Sequence, residues 1–575
     1  MMDKVRAYLN EHTNPPVFLA SLALTLALVG WGVIAPANLG DVAGDVKTWI
    51  STYFGWWYLA SVTFFLLFTI ILMFSPYGRI RLGKDDDRPF WGRWAWFSML
   101  FTAGMGIGLV FFGVAEPIFH YATFQADGVP NVAGGASAAA NQAMRMTIFH
   151  WGLHPWAIYI ILGLSMGYFC FRHDLPLRPA SAFYPLIGRG IYGWVGHLID
   201  ILAVFGTLFG LATSLGLGAT QINAGLAAVF DMPQNWRWQV GIIAVITAVA
   251  VVSLMLGVDK GIRRLSVFNM YGAVLLALIV FIAGPTLFIL NFTVQSTGEY
   301  LQRLTLTSLR SWAFSGEGQA WLDSWTLFYW GWWIAWSPFV GMFIARVSRG
   351  RTIREFIVGT LLAPVGASIA WFCIFGGSAL HYIVDGGNEA LANAGTVDAM
   401  FVLLEQLPLA RSIVIALSLL AILVVAIFFA TSSDSGSLVV DMLTNGGDPH
   451  PIWQQRLFWA VTEGVIAAVL LIAGAFAAEA AATGGGEVDP LEPLNALQTA
   501  SITAGLPFSV VLTFMCWGLV RQLRREHIHS IHGPKEPPHL KQGGHATPAE
   551  LAQTPLSEDN PSSTLKSEAE AQEQA

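Results

Sequence analysis

YWGWWIAWSPF, Tyr329 to Phe339, places four tryptophans in seven positions inside a long apolar run and then meets a Ser-Pro pair. Tryptophan usually gathers where a membrane meets water, and proline removes an amide donor and clashes with the preceding turn. Here both fall in the middle of a segment long enough to cross a bilayer. Irregular backbone at that depth is tolerated only where protein or a cavity covers it. The stretch is therefore read as the interrupted centre of a spanning helix, with the tryptophans facing inward.

The rest of the chain supports a membrane reading. Its 575 residues are 55% hydrophobic and 12% charged, a balance that would leave a soluble domain with large apolar patches in water. Apolar runs predict twelve spans, near 17–37, 52–75, 94–121, 143–171, 194–228, 238–256, 265–292, 323–345, 355–377, 412–443, 456–478 and 500–520. The first follows MMDKVRAYLNEHTNPP without a small-residue cleavage site, so it reads as a span and not as a removable signal. Assigning the N-terminus, the even-numbered connections and the C-terminus to one side collects 24 of the 30 Lys and Arg residues there. By the positive-inside rule both termini are expected in the cytoplasm, with the chain in the cell inner (plasma) membrane among lipid. The net charge of −7 is divided by side and marks no nucleic-acid partner. Cys170, Cys373 and Cys516 lie in spans at unrelated positions, a pattern that predicts neither a disulfide framework nor a thiolate metal site.

A second interruption is expected in span 3, WFSMLFTAGMGIGLVFFGVAEPIF, where Gly104, Gly106 and Gly108 alternate at mid-membrane depth. Small residues also serve close helix packing, but placement points elsewhere. Span 3 opens one run of five spans and span 8 opens another, so each block is expected to begin with a broken helix. Interrupted helices at corresponding positions of two halves point to an inverted-repeat secondary transporter with its site at the breaks.

Span 4 contains FHWGLHPWAIY. At about 100° per residue, Trp151, Trp156 and Tyr159 project at roughly 0°, 140° and 80° and share one side. Trp333 and Trp336 form a second stripe, with Trp332 one turn from Trp336. Facing each other beside the span 3 break, the stripes would make a box of ring faces. Such a box suits a quaternary ammonium, which has no proton to donate and is held by the negative faces of aromatic rings. Nothing acidic is expected beside it, since Glu116 lies near one end of span 3 and Asp434 and Asp441 in the last third of span 10. An unpaired cation is costly in a membrane, whereas a zwitterion brings its own carboxylate. Freed amides of the loosened Met105, Gly106 and Gly108 stretch would receive that carboxylate. His150 and His154, at i and i+4, raise a membrane metalloenzyme as a rival, but His120, His173, His197 and His381 form no second pair and the chain is read as no enzyme. A channel is the other rival, and a broken-helix repeat favours alternating access over an open pore.

YWGWWIAWSPFVGMFIARVSRGRTIREF, FTAGMGIGLVFFGVAEP, FHWGLHPWAIY and FFATSSDSGS resemble the signature segments of the betaine/choline/carnitine transporter family, and the resemblance runs from about Val17 through Arg525. It implies an all-α integral membrane fold of twelve transmembrane helices, two peripheral ones followed by a LeuT-like five-plus-five inverted repeat, usually as a homotrimer. It implies a trimethylammonium box at Trp151, Trp156, Tyr159 and Trp333, with Trp336 near the substrate carboxylate and Phe111 and Trp332 as gating aromatics. In sodium-coupled members an ion lies between span 3 and span 10, which here means Thr102 and Met105 on one side and Phe428, Thr431 and Ser432 on the other. The expected activity is import of glycine betaine or a related zwitterion by sodium symport. Proton-coupled choline uptake and sodium-independent carnitine or betaine exchange are the alternatives.

Three departures qualify the resemblance. Leu211 stands four residues after Thr207, where a second sodium site can use two hydroxyls. Gly108 stands where choline-selective members carry Asp. The tail beyond RQLRREHIHSIH is sparse in Lys and Arg, against a basic osmosensing helix in other members. The expected divisions are a cytoplasmic N-terminus at 1–16, peripheral helices at 17–92, a first repeat at 93–293, an extracytoplasmic amphipathic connection at 294–322, a second repeat at 323–524 and a largely disordered tail at 525–575.

Overall fold

The computed structural model describes residues 8–104, 106–125, 135–255, 259–449, 452–483 and 494–532. These residues are helical, and their one β-bridge is an isolated pair, Arg81 with Thr352. The elements that place the site are α1 (Pro15–Ile34), α2 (Pro36–Phe74), α3 (Arg93–Gly104), α4 (Ile107–Gln125), α5 (Gly135–Trp151), α6 (Leu153–His173), α7 (Trp194–Phe230) and α8 (Trp236–Met255). They continue as α9 (Asp259–Ala283), α10 (Thr286–Gln302), α11 (Gly316–Ser324), α12 (Thr326–Val347), α13 (Ile353–Val384), α14 (Arg411–Thr444), α15 (Trp453–Thr483) and α16 (Asn495–His532). The expected spans fall on helix, spans 3, 4 and 7 each on two helices. Among the described residues nine helical stretches are long and apolar enough to cross a membrane, and the bent pair α9–α10 makes a tenth. The chain is an all-α, multi-pass membrane protein.

The interruptions fall differently from expectation in three places. Span 3 does break, since α3 ends at Gly104 and α4 starts at Ile107. Span 8 does not, because α12 runs through Pro338 without interruption. The Ile334 carbonyl that a proline at 338 leaves without its amide partner accepts instead from the Ser337 hydroxyl at 2.7 Å. An unexpected break splits span 4 at Gly152, with φ −97° and ψ −131°. Tyr300 fills it, its hydroxyl accepting from the Leu153 amide at 3.0 Å. Span 7 ends early, since Gly284-Pro285 turns the chain through 110° into α10.

Helix α7 is the backbone of the packing. Glycines on α7 allow α12 to approach closely, and a Cβ at Gly206 would stand 2.9 Å from the Ala335 carbonyl oxygen and one at Gly210 3.2 Å from the Trp336 amide. On its other side Thr213 hydrogen-bonds Ser501 of α16 at 2.8 Å. On α12, Gly341 faces Gly163 of α6 in the same manner. Close approach through small residues is the usual way helices associate where lipid provides no hydrophobic drive.

At one end of the bundle the connection after α2 is tied to the connection after α12. Gly350 donates to the Leu82 carbonyl at 2.7 Å, Leu82 to Arg351 at 2.8 Å and Ile353 to Ile80 at 2.8 Å. Thr352 and Glu355 then cap α13 reciprocally. The turn requires φ +81° at Gly350, where a Cβ would stand 2.5 Å from the Arg88 carbonyl oxygen. Gly350→Ala is expected to lower stability by about 1–2 kcal/mol through the left-handed backbone alone. Thermal unfolding of the purified protein checks it, and an unchanged midpoint would mean that this turn does not hold the two connections together.

Candidate functional site

The broken ends of α3–α4 and α5–α6 meet the middle of α12, and the rings of all three groups are buried together. Trp151 meets Trp333 edge to face, with centroids 4.8 Å apart and planes at 72°. Tyr159 meets Trp333 at 6.4 Å and 79°, and Trp156 meets Tyr159 at 5.5 Å and 84°. Trp332 stacks on Trp333 at 4.6 Å and 14°. Trp336 lies 6.5 Å from both Trp332 and Trp333, and its ring edge is 3.4 Å from where a Cβ on Gly106 would stand. Rings of both stripes read from the sequence are thus brought together beside the span 3 break, although the first stripe does not share one helix, since the Gly152 break puts Trp151 on α5 and Trp156 and Tyr159 on α6.

Hydrogen bonds set the ring orientations. Trp333 Nε1 donates to the His150 carbonyl at 3.0 Å, beside the Gly152 break, and Trp332 Nε1 donates to the Gly210 carbonyl at 3.2 Å. Among the described residues, two polar atoms of the cluster, Trp336 Nε1 and Tyr159 Oη, are buried without a partner. A buried donor left unpaired costs about 1–3 kcal/mol, so both are disposed to take a polar ligand group. Gly108 sits under the rings, where a Cβ would lie 2.6 Å from Trp332 and 2.8 Å from Trp151.

The expectation that nothing acidic lies beside the aromatic residues is corrected. Glu116 is fully buried, and its Oε2 accepts from Trp151 Nε1 at 2.8 Å and from the Tyr329 hydroxyl at 2.5 Å. Its Oε1 meets His150 Nδ1 at 2.6 Å and His120 Nε2 at 3.2 Å. Trp321 Nε1 donates to His120 Nδ1 at 3.3 Å; an indole only donates, which fixes the His120 proton on Nε2, toward Glu116. The ligand atoms of Glu116, His120 and His150 lie within 4.8 Å of one another. Their spacings are those of hydrogen bonds, and a protonated Nε2 offers no lone pair, so the trio reads as a bonded cluster and not as a metal centre. His154, the other half of the HxxxH pair, bonds Ser308 instead and stacks on Trp330. Neither the Glu116 cluster nor Tyr329 was found from sequence, although a carboxylate within a span is by default a functional candidate.

The other expected site residues are placed as follows. Phe111 packs on Phe112 at 4.7 Å, and it is Phe112 that reaches Trp332, at 6.3 Å. Phe428, Thr431 and Ser432 stand on an unbroken α14, where the Thr431 hydroxyl donates to the Ile427 and Phe428 carbonyls at 2.9 and 3.2 Å. Thr102 belongs to α3 by its backbone. Met105 lies outside the described residues. Leu211 packs against Gly436 of α14, while Thr207 Oγ1 donates to its own helix at Ala203.

A model of the betaine/carnitine/choline family of transporters matches residues 16–528. A glycine betaine transporter of Acinetobacter baylyi is 44% identical over 514 residues, covering 89% of this chain and 73% of that protein. A glycine betaine transporter of Bacillus subtilis is 43% identical over 510 residues, covering 89% and 94%. A solved structure of a Na+-coupled sialic acid symporter aligns at TM-score 0.41 and 15% identity, covering 81% of this chain and 97% of that one.

The space at Gly108 generates a test. Gly108→Ala must displace the Trp332 and Trp151 rings, and overpacking of this kind is expected to cost about 1–3 kcal/mol. Gly108→Asp carries the same clash in addition to any change in charge. Thermal unfolding and intrinsic tryptophan fluorescence of the alanine variant measure both the cost and the ring displacement; if neither changes, the rings do not press on Gly108.

Proposed function

The chain belongs to the betaine/carnitine/choline transporter family, and from that premise we propose that it imports glycine betaine or a closely related zwitterion by sodium symport and alternating access. The observation that carries this reading is the buried ring cluster with its two unpartnered donors. The faces of Trp151, Trp156, Tyr159 and Trp333 suit a trimethylammonium group. Trp336 Nε1, without a partner among the described residues and on a ring whose benzo edge approaches Gly106, suits a carboxylate at the other end, with the freed backbone of the span 3 break as a second donor set. A molecule carrying both charges within a few bonds satisfies both ends at once.

The sodium ion is assigned to the junction of span 3 and α14, between carbonyls near Thr102 and Met105 and oxygens of Phe428, Thr431 and Ser432. Ile107 at the start of α4 and Phe429 on α14 converge on Gly218 of α7, at 3.0 and 3.3 Å from where its Cβ would stand, which supports that placement. One ion is proposed and not two, because Leu211 supplies an apolar side chain where a second hydroxyl would be needed. In this reading spans 3–7 and 8–12 are the two inverted repeats, the protein is a homotrimer in the inner membrane, and both termini are cytoplasmic.

Proteoliposomes with sodium and proton gradients imposed separately test the reading. Labelled betaine should accumulate with sodium alone, and full uptake on a proton gradient without sodium would overturn sodium symport. Trp333→Leu is expected to weaken betaine by up to about thirtyfold, from the roughly 0.5–2 kcal/mol of a desolvated cation–π contact. Thr431→Ala should raise the sodium concentration for half-maximal uptake, and, because coupling is reciprocal, betaine should tighten sodium binding in the wild type. A purely structural Thr431 would instead lower stability and leave the sodium dependence where it was.

A further inference from the structure

We propose that Glu116 is a specificity-determining counter-charge, acting on the substrate's cation through the indole of Trp151. The inference rests on the reading of the ring cluster as a quaternary-ammonium site. A cation buried in a membrane protein calls for a compensating negative charge, and none of the residues that form the box carries one. Glu116 lies directly behind it. Its Oε2 accepts from Trp151 Nε1 at 2.8 Å, and the same oxygen accepts from Tyr329 at 2.5 Å. Tyr329 in turn lies 5.5 Å from Trp151 and stacks on Trp333 at 5.7 Å and 22°.

An indole can only donate, so the Trp151 bond has a fixed sense. Hydrogen-bonded groups polarise one another in a low dielectric. Donation of N–H to an anion pushes electron density back into the ring and makes its face more negative, which is the property that attracts a cation. The carboxylate adds its own Coulomb attraction across the ring, weakly screened because Glu116 is fully buried. Glu116 thus strengthens the site for a cation without occupying it and without repelling the zwitterion's carboxylate at close range. A structural role as the knot joining α4, α5 and α12 predicts something different, since a knot supports any ligand of the right shape.

Two ligands separate the alternatives. Glycine betaine and 3,3-dimethylbutyrate have the same shape and the same carboxylate, but the second has a neutral carbon in place of the ammonium nitrogen. Binding of both is measured on the purified, sodium-loaded protein. In Glu116→Gln, betaine affinity is expected to fall about tenfold, the scale of one desolvated cation–π contact, with dimethylbutyrate affinity unchanged. Glu116→Asp, which keeps the charge, should retain most of the preference. Equal losses for both ligands in Glu116→Gln would overturn the inference in favour of a structural knot. If that variant does not fold, Trp151→Phe keeps a ring and removes the N–H, and an undiminished preference for betaine there overturns it equally. A wild-type protein that binds both ligands alike would overturn the quaternary-ammonium reading itself.

Discussion

A helix broken inside a membrane must hand its freed amides and carbonyls to something other than water, and in this protein the side chains that receive them also form the candidate site. The carbonyl of His150, two residues before the Gly152 break, takes Trp333 Nε1, and the amide of Leu153 just beyond it gives to Tyr300. Trp333 is consequently fixed edge-on to Trp151 because it satisfies the backbone, not because ring packing alone prefers that angle. The same accounting explains why α12 stays whole: the Ser337 hydroxyl restores a partner to the Ile334 carbonyl. Where a break occurs, and where one is suppressed, decides which rings can face one another.

The scaffold serves that arrangement by distance. Gly206 and Gly210 bring α7 against the backbone of α12 at Ala335 and Trp336, and the Gly210 carbonyl is then close enough to orient Trp332. A residue with a Cβ at either place would move α12 outward and take the rings with it. Glycine acts along α7 as close packing, whereas between Gly104 and Ile107 and at Gly152 the helices do part.

Much of this was legible in the sequence for physical reasons that act over short range. Apolar runs located the long helices, nine or ten of which among the described residues can cross a bilayer, because a bilayer demands about twenty residues of them. Helical periodicity holds for Trp156 and Tyr159 on α6, but not for Trp151, which the Gly152 break puts at the end of α5. Proline at 338 misled, because its effect depends on whether a neighbour can bond the orphaned carbonyl, and the serine immediately before it does. The Gly152 break was missed because one glycine in an apolar run carries little signal without knowledge of Tyr300, which lies 148 positions further on. Glu116 was judged remote from the rings for the same reason. It sits only one helix end away in linear terms, yet its partners Trp151 and Tyr329 are 35 and 213 positions distant, a separation that no periodicity spans.

The position of Glu116 also bears on how a membrane site can favour one ionic form over another. A carboxylate lining the pocket would pair with a lone cation, but it would repel the acid end of a zwitterion a few bonds away. Set behind Trp151, with both oxygens engaged by donors from α4, α5, α11 or α12 directly or through His120, the charge would act on the pocket from behind a ring, through its polarised face and by Coulomb attraction across it. Its influence is then strong where the ammonium would lie against Trp151 and weak at the far end, where Trp336 Nε1 waits without a partner. In the proposed reading that asymmetry would orient a zwitterion as well as bind it, because reversing the molecule would place its carboxylate against the most negative ring face and its cation against a donor.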